Sequence, residues 1–578
     1  MGLMDIIKGK KKLTGPWLKF YTKEEQNFKI PDISLYEDLR LRSKEHMDSL
    51  AYNYFGTTAT FAEFIRDIEE AAKAFKSQGI RPGDVVTICM PNTPEGIISF
   101  YALNKIGAIS NMIHPLSGEE EIKDYLVTTN SVMLVMIDLC YEKVKNVIKE
   151  TNVYKTVVVS VKDSMPFLIG VGYQVTKGYK VSRPSHGEDY LYWKEFIRKG
   201  SRYHIDSKVE VKKDMPAVIL HSGGTTGSPK GIVLSNSNFN ALVIQARIAF
   251  KDIRAYQDNV LAIMPIFHGF GLGVSIHAPL CLGSEVTLVP QFDAKKFDKM
   301  LMKYNPTILF GVPTLYEALS NIKNDNLDLS NIKYILSGGD SLKTSSIRKI
   351  NLYLSDHNCK VQISQGYGMT ESVAPTAAAF GKANKEGSIG IPLAGNFYKI
   401  VTPNTQDEVP LGEDGEICVC GPTVMLGYLN NEKETNEILQ IHKDGHVWLH
   451  TGDIGYMDKD GVIFYKQRLK RMLIVSGYNV YPQHLENIIE EHEAVMNCTV
   501  IGIPHPYKVQ VPKAFIVLNN EYKDSHSVKK SIKEHCEKNL AKYAIPAEFE
   551  FRQSLPKTMI GKVDFRQLQI EEENKNKN

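Results

Sequence analysis

Phe61, Phe64, Ile65, Ile68, Ala71, Ala72 and Phe75 recur at three- and four-residue intervals, the period of one buried helical face. Thr60 and Glu63 form a capping box before this run and Gly79 is a stop after it, so the pattern predicts a helix between them. Arg81-Pro-Gly-Asp84 then turns into the apolar run Val85 to Met90, and a second helical stretch through Ile97, Ile98 and Tyr101 ends near Gly107. Apolar runs return at Met133–Ile137, Thr156–Ser160, Ala217–Leu220, Val260–Met264, Glu285–Val289, Thr307–Phe310 and Tyr334–Ser337, separated by helix-length segments. Continuous apolar strands alternating with helices predict an α/β fold with parallel sheets covered on both faces.

From about residue 390 the texture changes. Gly and Asp punctuate short alternating runs such as Glu416 to Cys420 and Gly461 to Tyr465, which predicts an antiparallel β region. A further strand and helix series follows Lys470, with the Lys-rich stretch Tyr522 to Lys538 as a solvated helix. The expected organisation is an N-terminal extension (1–50), a large domain of two parallel-type αβ subdomains plus the antiparallel region (51–467), and a small mobile α+β domain (468–578). Residues 160–210 are rich in Pro, Gly and Tyr, with an apolar stretch from Met165 to Tyr173, and suggest an inserted surface subdomain or a lipid contact.

The 578 residues are 43% hydrophobic and 23% charged, which fits a multidomain globular protein and excludes fibrous and disordered classes. With 69 Lys and Arg against 66 Asp and Glu, the balance gives no reason to expect a nucleic-acid partner. Eight scattered cysteines lack C-x-x-C pairs or a histidine at zinc spacing, so neither a disulfide framework nor a structural metal is expected, and a reducing cytoplasm is. No window approaches the roughly 18 apolar residues of a membrane span. The segment from Met1 to Ile7 meets Lys8, Lys10, Lys11 and Lys12, the reverse of a signal peptide's order, leaving a frayed terminus or a short interfacial helix. The expected localisation is cytoplasmic, with peripheral membrane contact as its extension; oligomeric state is not readable.

Ser222-Gly-Gly-Thr-Thr-Gly-Ser-Pro-Lys-Gly231 directly follows the apolar strand Ala217 to Leu220. Its glycines let consecutive N–H groups point at an anion, and its hydroxyls and Lys230 add donors, so it has the chemistry of a phosphate cradle. It is not a Walker A loop, because Pro229 precedes the lysine where glycine is required.

This decamer resembles the signature loop of the adenylate-forming superfamily, which includes acyl-CoA synthetases, peptide-synthetase adenylation domains and luciferases. Ser337-Gly-Gly-Asp340, Gln365 to Glu371, Thr451-Gly-Asp453, Arg468-Leu-Lys470, Ser476-Gly-Tyr-Asn479 and Gly561-Lys562 match that family's other motifs in order, from about Gly56 to Gln569. The resemblance implies that Ser222, Gly223, Gly224, Thr225, Thr226, Gly227 and Lys230 surround the phosphates of ATP. It places Gly338, Gly339, Gly366, Tyr367, Gly368 and Thr370 around the nucleotide, with adenine stacked on Tyr367, which by itself reads as an aromatic face on a Gly-flanked turn or as core packing. Glu371 and the Ser222 hydroxyl, where a threonine is usual, are the implied Mg²⁺ ligands, a hard-oxygen set. Gly223 stands where the family often has serine.

Asp453, read as lying in a turn, is implied to accept the ribose hydroxyls, and Arg468 to fix ribose or phosphate. Lys562 is the implied catalytic lysine bridging the attacking carboxylate and ATP, although Ile560 replaces a common Ser or Thr. Lys470 marks the hinge, and Ser476, Gly477 and Tyr478 line the pantetheine tunnel in the thiol-transfer pose; Arg471 and His484 stand where acids are common. Met264 to Gly273 is the implied acyl-pocket loop, in which His268 is either a general base or a gate and packing group. The expected activity is an AMP-forming acyl-CoA synthetase using ATP, Mg²⁺ and CoA on a medium- or long-chain fatty acid. The alternatives are an aryl or bile acid substrate, a carrier-protein phosphopantetheine acceptor, and, in a different class, a non-catalytic nucleotide sensor.

Overall fold

A computed structural model describes residues 10–185, 187, 189–203, 209–222, 230–475, 478–505, 508–557 and 563–575. Packing divides the chain into two compact units, Lys12–Phe397 with Cys420–Gln440, and Met1–Lys11 with Tyr398–Val419 and Ile441–Asn578.

The larger unit holds two sheets. In the eight-stranded sheet, Val85–Cys89 lies between Ile109–Met112 and Met133–Ile137, and parallel pairing continues through Lys155–Val159 to Tyr190–Tyr192. On its other side Ile109–Met112 pairs in parallel with Pro216–Ser222, which turns back antiparallel onto Lys230–Ser235. The nine-stranded sheet is parallel through Leu50–Tyr54, Glu285–Leu288, Asn259–Ala262, Ile308–Gly311, Tyr334–Ser337 and Ser364–Met369. The expected α/β class is thus borne out, since strands such as Met133–Ile137 are buried along their whole length. The helix Phe61–Ser77 begins on the Thr60–Glu63 capping box and buries Phe61, Phe64, Ile68, Ala72 and Phe75, as its period requires.

The smaller unit is an antiparallel sheet containing Gly415–Cys420, Val447–Met457 and Ile463–Arg468, followed by a second sheet around the hairpin Val495–His505 and Val509–Leu518. The helix His526–Asn539 occupies the Lys-rich stretch and buries only Ile532 and Cys536.

The region 160–210 differs from the expected inserted subdomain. Tyr190–Tyr192 completes the edge of the eight-stranded sheet, and the helix Trp193–Gly200 packs on Phe61–Ser77, with the Phe75 and Phe196 rings 4.9 Å apart. The Pro and Gly content that suggested a separate body belongs to the preceding segment, whose helix Phe167–Thr176 buries only Gly170. That segment is tied down at Ser164, whose hydroxyl donates to Glu95 at 2.5 Å.

Glu95 is buried at the first turn of the helix Pro94–Lys105, and burial raises its pKa to about 7 from an ordinary 4.5. The folded chain therefore holds a proton that the unfolded chain releases, and stability falls as pH rises through this window. Glu95→Gln is expected to stabilise the protein at pH 8, by up to about 3 kcal/mol, and to leave it unchanged at pH 4. Thermal unfolding at both pH values checks this; equal shifts at both would remove the ionisation argument.

Candidate active site

Ser222 and Lys230 are cross-strand partners at the end of the antiparallel pair Pro216–Ser222 and Lys230–Ser235. Gly223, Gly224, Thr225, Thr226 and Gly227 lie outside the described residues, but the pairing sets the mouth of their loop at two neighbouring strand ends. Lys230 forms an ion pair with Glu434, and its ammonium stands 5.0 Å from the centre of the Tyr428 ring. The Tyr428 hydroxyl donates to a Glu371 carboxylate oxygen at 2.9 Å. Lys230, Tyr428 and Glu371 are therefore joined in one chain of contacts, although they are far apart in sequence.

Glu371 is buried in the 3₁₀ turn Thr370–Ser372, and its carbonyl accepts from the Met425 N–H at 2.8 Å. The carboxylate and the Ser222 hydroxyl are hard oxygen donors of the kind Mg²⁺ takes, so the chemistry of the donor set fits the ion. Sequence reasoning missed Tyr428 and Glu434, because no spacing signal links them to the loop. Tyr428→Phe removes a hydrogen bond to a charged group, so if the site binds a metal–nucleotide as the resemblance implies, kcat is expected to fall about tenfold, with a raised KM for Mg²⁺ and little change in melting temperature. A fall in kcat without a Mg²⁺ effect would assign Tyr428 a purely structural role.

Tyr367 was expected on a turn. It lies instead within the strand Ser364–Met369, paired in parallel with Tyr334–Ser337 and antiparallel with Ala374–Ala378. The flanking glycines serve close approach, not bending: a Cβ on Gly368 would lie 1.4 Å from the Ala374 carbonyl oxygen. Gly338 and Gly339 follow the neighbouring strand Tyr334–Ser337, and the Gly338 N–H donates to the Gly311 carbonyl at 2.9 Å. Val373 and Ala374 have φ of 62° and 105°, positive values that residues other than glycine adopt uncommonly and a β-branched residue such as Val373 rarely. Such backbone is characteristic of functional segments held by their surroundings.

His268 precedes the π-helical segment Phe270–His277, its ring 4.9 Å from that of Phe267. Asn92, another residue that sequence reasoning passed over, clamps the approach to it. Its amide donates to the Ala262 and Met264 carbonyls at 2.9 Å each, and its oxygen accepts from the Ile266 N–H at 2.8 Å. A Cβ on Gly271 would lie 1.9 Å from the Pro265 carbonyl oxygen, so only glycine allows the segment to fold back so tightly. Beside it lies a cavity lined only by apolar residues, among them Leu242, Ala246, Phe250, Val274, Phe310 and Leu336.

In the smaller unit, Asp453 also lies in a strand where a turn was expected. It sits in Val447–Met457, directly opposite Arg468 of Ile463–Arg468, and the guanidinium Nε is 3.0 Å from the buried carboxylate. Antiparallel register, not a loop, makes the two converge. The Thr451 hydroxyl accepts from the Asp453 N–H and donates to the Ile417 carbonyl, while the Gly452 N–H donates to Glu416. Glu416 contacts His450 Nδ1 at 3.0 Å, and His450 Nε2 lies 2.9 Å from His442 Nε2. Burial pushes the His442 pKa down to about 4. Cys418 stands beside Glu416 and His450, with the three donor atoms within 4.8 Å of one another, a grouping that metal-ligand spacing in sequence did not anticipate.

Ser476, Gly477 and Lys562 lie outside the described residues. Tyr478 opens the strand Tyr478–Val480, opposite Val475. Lys470 lies in the 3₁₀ turn Leu469–Arg471 between two strands. Arg471 forms an ion pair with Glu486 and stacks on Phe565, so this basic substitution has its own local partners. No helix among the described residues is long and apolar enough to cross a membrane.

The family model "AMP-binding enzyme" matches residues 39–429, and "AMP-binding enzyme C-terminal domain" matches residues 484–562. A long-chain-fatty-acid–CoA ligase of Bacillus subtilis (strain 168) is 32% identical over 567 residues, covering 97% of this chain and 98% of that protein. A probable 4-coumarate–CoA ligase 1 of Dictyostelium discoideum is 30% identical over 555 residues, covering 94% and 96%. Among solved structures, the anthranilate CoA ligase AuaEII with anthranoyl-AMP superposes with a TM-score of 0.81 at 23% identity, covering 96% of this chain and 100% of that one. ATP-bound MatB from Rhodopseudomonas palustris gives 0.79 at 21% identity, covering 93% and 98%. With the phosphate-loop anchors, the Glu371 chain and the Asp453–Arg468 pair in place, these likenesses make the chain a member of the AMP-binding enzyme family, the adenylate-forming enzymes.

Proposed function

We propose that this enzyme is an AMP-forming acyl-CoA synthetase whose acid is a medium- or long-chain fatty acid. The observation that carries the substrate class is the likeness to long-chain-fatty-acid–CoA ligases, that of Bacillus subtilis being similar over nearly its full length. The cavity beside the π-helical segment is lined only by apolar residues and offers a polar substituent no partner, but at about 30 Å³ it must widen to take an acyl chain.

In the first half-reaction a carboxylate oxygen of the acid attacks the α-phosphorus of ATP and the bond to pyrophosphate breaks. Lys230 and the loop after Ser222 hold the phosphates, Asp453 accepts the ribose hydroxyls, and Arg468 keeps that carboxylate oriented. Glu371 and the Ser222 hydroxyl would hold Mg²⁺, which would supply charge neutralisation at the phosphates. The acid is already ionised at pH 7, so His268 is assigned a gating and packing role. Lys562 bridges the carboxylate and the nucleotide. In the second half-reaction the CoA sulfur attacks the acyl carbon and AMP leaves, with its proton released to solvent.

The domain boundary is placed at 467/468 with Lys470 as hinge, and Ser476, Gly477 and Tyr478 beside the pantetheine arm. Lys470→Pro would fix φ in the turn Leu469–Arg471. It is expected to slow thioester formation at least about tenfold more than adenylation, as rigid-body hinges require; unchanged transfer would remove the hinge role. We place the enzyme in the cytoplasm. The substrate assignment is tested by mass spectrometry of products from ATP, Mg²⁺, CoA and a mixed pool of fatty, aryl and bile acids. A dominant fatty acyl-CoA is expected. Acyl-adenylates without any CoA thioester would point to a carrier-protein acceptor, and a dominant aryl or bile acyl-CoA would overturn the chain-length assignment.

A further inference from the structure

We infer that the helix Phe167–Thr176 is a docking face for an anionic lipid bilayer. None of its ten residues, Phe-Leu-Ile-Gly-Val-Gly-Tyr-Gln-Val-Thr, is charged. A water-facing helix ordinarily shows a polar outer side, but here the outer side is the apolar one. Phe167, Val171 and Val175 stand at i, i+4 and i+8 on a single face, and Leu168 adjoins it. Phe167 and Leu168 are each 82% exposed and Val175 is 70% exposed. The flank beside Phe167 that carries Gly170 and Gln174, away from Leu168 and Val175, is the anchored one. Gly170 is buried, with Lys162 atoms within 4 Å of where its Cβ would be, and Gln174 accepts from the Lys162 ammonium at 2.9 Å. At its base the Ser164–Glu95 hydrogen bond ties the segment to the helix Pro94–Lys105. The apolar face is thus held outward by its own attachments.

Charge selects the occupant. From Ser164 to Gly187 the chain contains no Asp or Glu, whereas Lys177, Lys180 and Arg183 follow the helix in close succession. Lys177 and Lys180 are exposed, and Tyr179 between them is 63% exposed. Arg183 is paired with Asp138 and turned inward, so the two lysines supply the outward charge. A second copy of this chain would bring these lysines against each other. A bilayer with anionic headgroups instead matches both features, taking the apolar side chains into the acyl boundary and the ammonium groups at the phosphates. This goes beyond the proposed reaction and does not depend on the identity of the acid.

The test is sedimentation of the full chain with vesicles of phosphatidylcholine alone or mixed with phosphatidylglycerol. The natural protein is expected to sediment with the anionic vesicles. Combined Phe167→Ser, Leu168→Ser and Val175→Ser should weaken that binding at least about tenfold. Lys177→Glu with Lys180→Glu should weaken it about tenfold on anionic vesicles only. Both variants should keep full turnover of a detergent-dispersed acid, which shows that they are folded and separates this inference from the reaction itself. Failure of the natural protein to bind, or equal binding by the serine variant, would overturn the inference. So would a change from dimer to monomer in the serine variant without any vesicle effect, which would make the face a contact between copies.

Discussion

Replacing Lys562 by alanine is expected to slow acyl-adenylate formation by about 10²- to 10³-fold, the usual effect of removing one preorganised donor from a site of developing charge. Thioester formation from a supplied acyl-adenylate should be nearly unchanged. The asymmetry follows from where negative charge appears. In the first half-reaction the carboxylate and the phosphates of ATP approach each other, and the proposed role of the Lys562 ammonium is to offset their repulsion. In the second, a sulfur attacks an acyl carbon and AMP departs, so no second anion has to approach the nucleotide and the proposed phosphate loop would suffice. Stopped-flow measurement of AMP release from isolated acyl-adenylate, beside pyrophosphate exchange, checks both halves. Equal loss of both would contradict the division of labour.

Gly368→Ala is expected to have a comparable effect for a different reason. The new methyl carbon would sit 1.4 Å from the Ala374 carbonyl oxygen and 2.3 Å from its carbon, and both are backbone atoms of the paired strand. They cannot move without breaking the pairing of Ser364–Met369 with Ala374–Ala378, where Val373 and Ala374 already hold positive φ. Overpacking of a well-packed region costs about 1 to 3 kcal/mol, and backbone displacement places this case at the upper end. Because Tyr367 and Glu371 lie on the same segment, kcat/KM for ATP should also fall at least about 100-fold. Thermal unfolding and initial-rate kinetics on the purified variant test the two parts. A variant with unchanged stability and kinetics would show that the strands are not held as tightly as the contact implies.

Most of the framework was legible because parallel strands carry a strong signal. Met133–Ile137 and Tyr334–Ser337 coincide with the predicted runs, since a strand buried on both faces must be apolar throughout. The capping box at Thr60 and Glu63 likewise marked a helix start that the structure places at Phe61. The two misreadings differ in cause. Gly368 beside Tyr367 serves close approach to the neighbouring strand, which only that strand reveals. Gly452 before Asp453 does take a left-handed backbone, φ 67°, but within the strand Val447–Met457 and not in a loop. Tyr428, Glu434 and Asn92 carried no signal because their roles depend on contacts made across the fold. The same holds for Glu416, Cys418 and His450, which strand pairing unites across more than thirty residues.

The central claim is that the acid is activated as an acyl-adenylate before it reaches CoA. It is tested most directly by a single turnover with hexadecanoate labelled with heavy oxygen at both carboxylate positions. The mechanism transfers one labelled oxygen to the phosphate of AMP and leaves the other in the thioester carbonyl. Unlabelled AMP, or heavy oxygen recovered in inorganic phosphate alongside ADP, would contradict it.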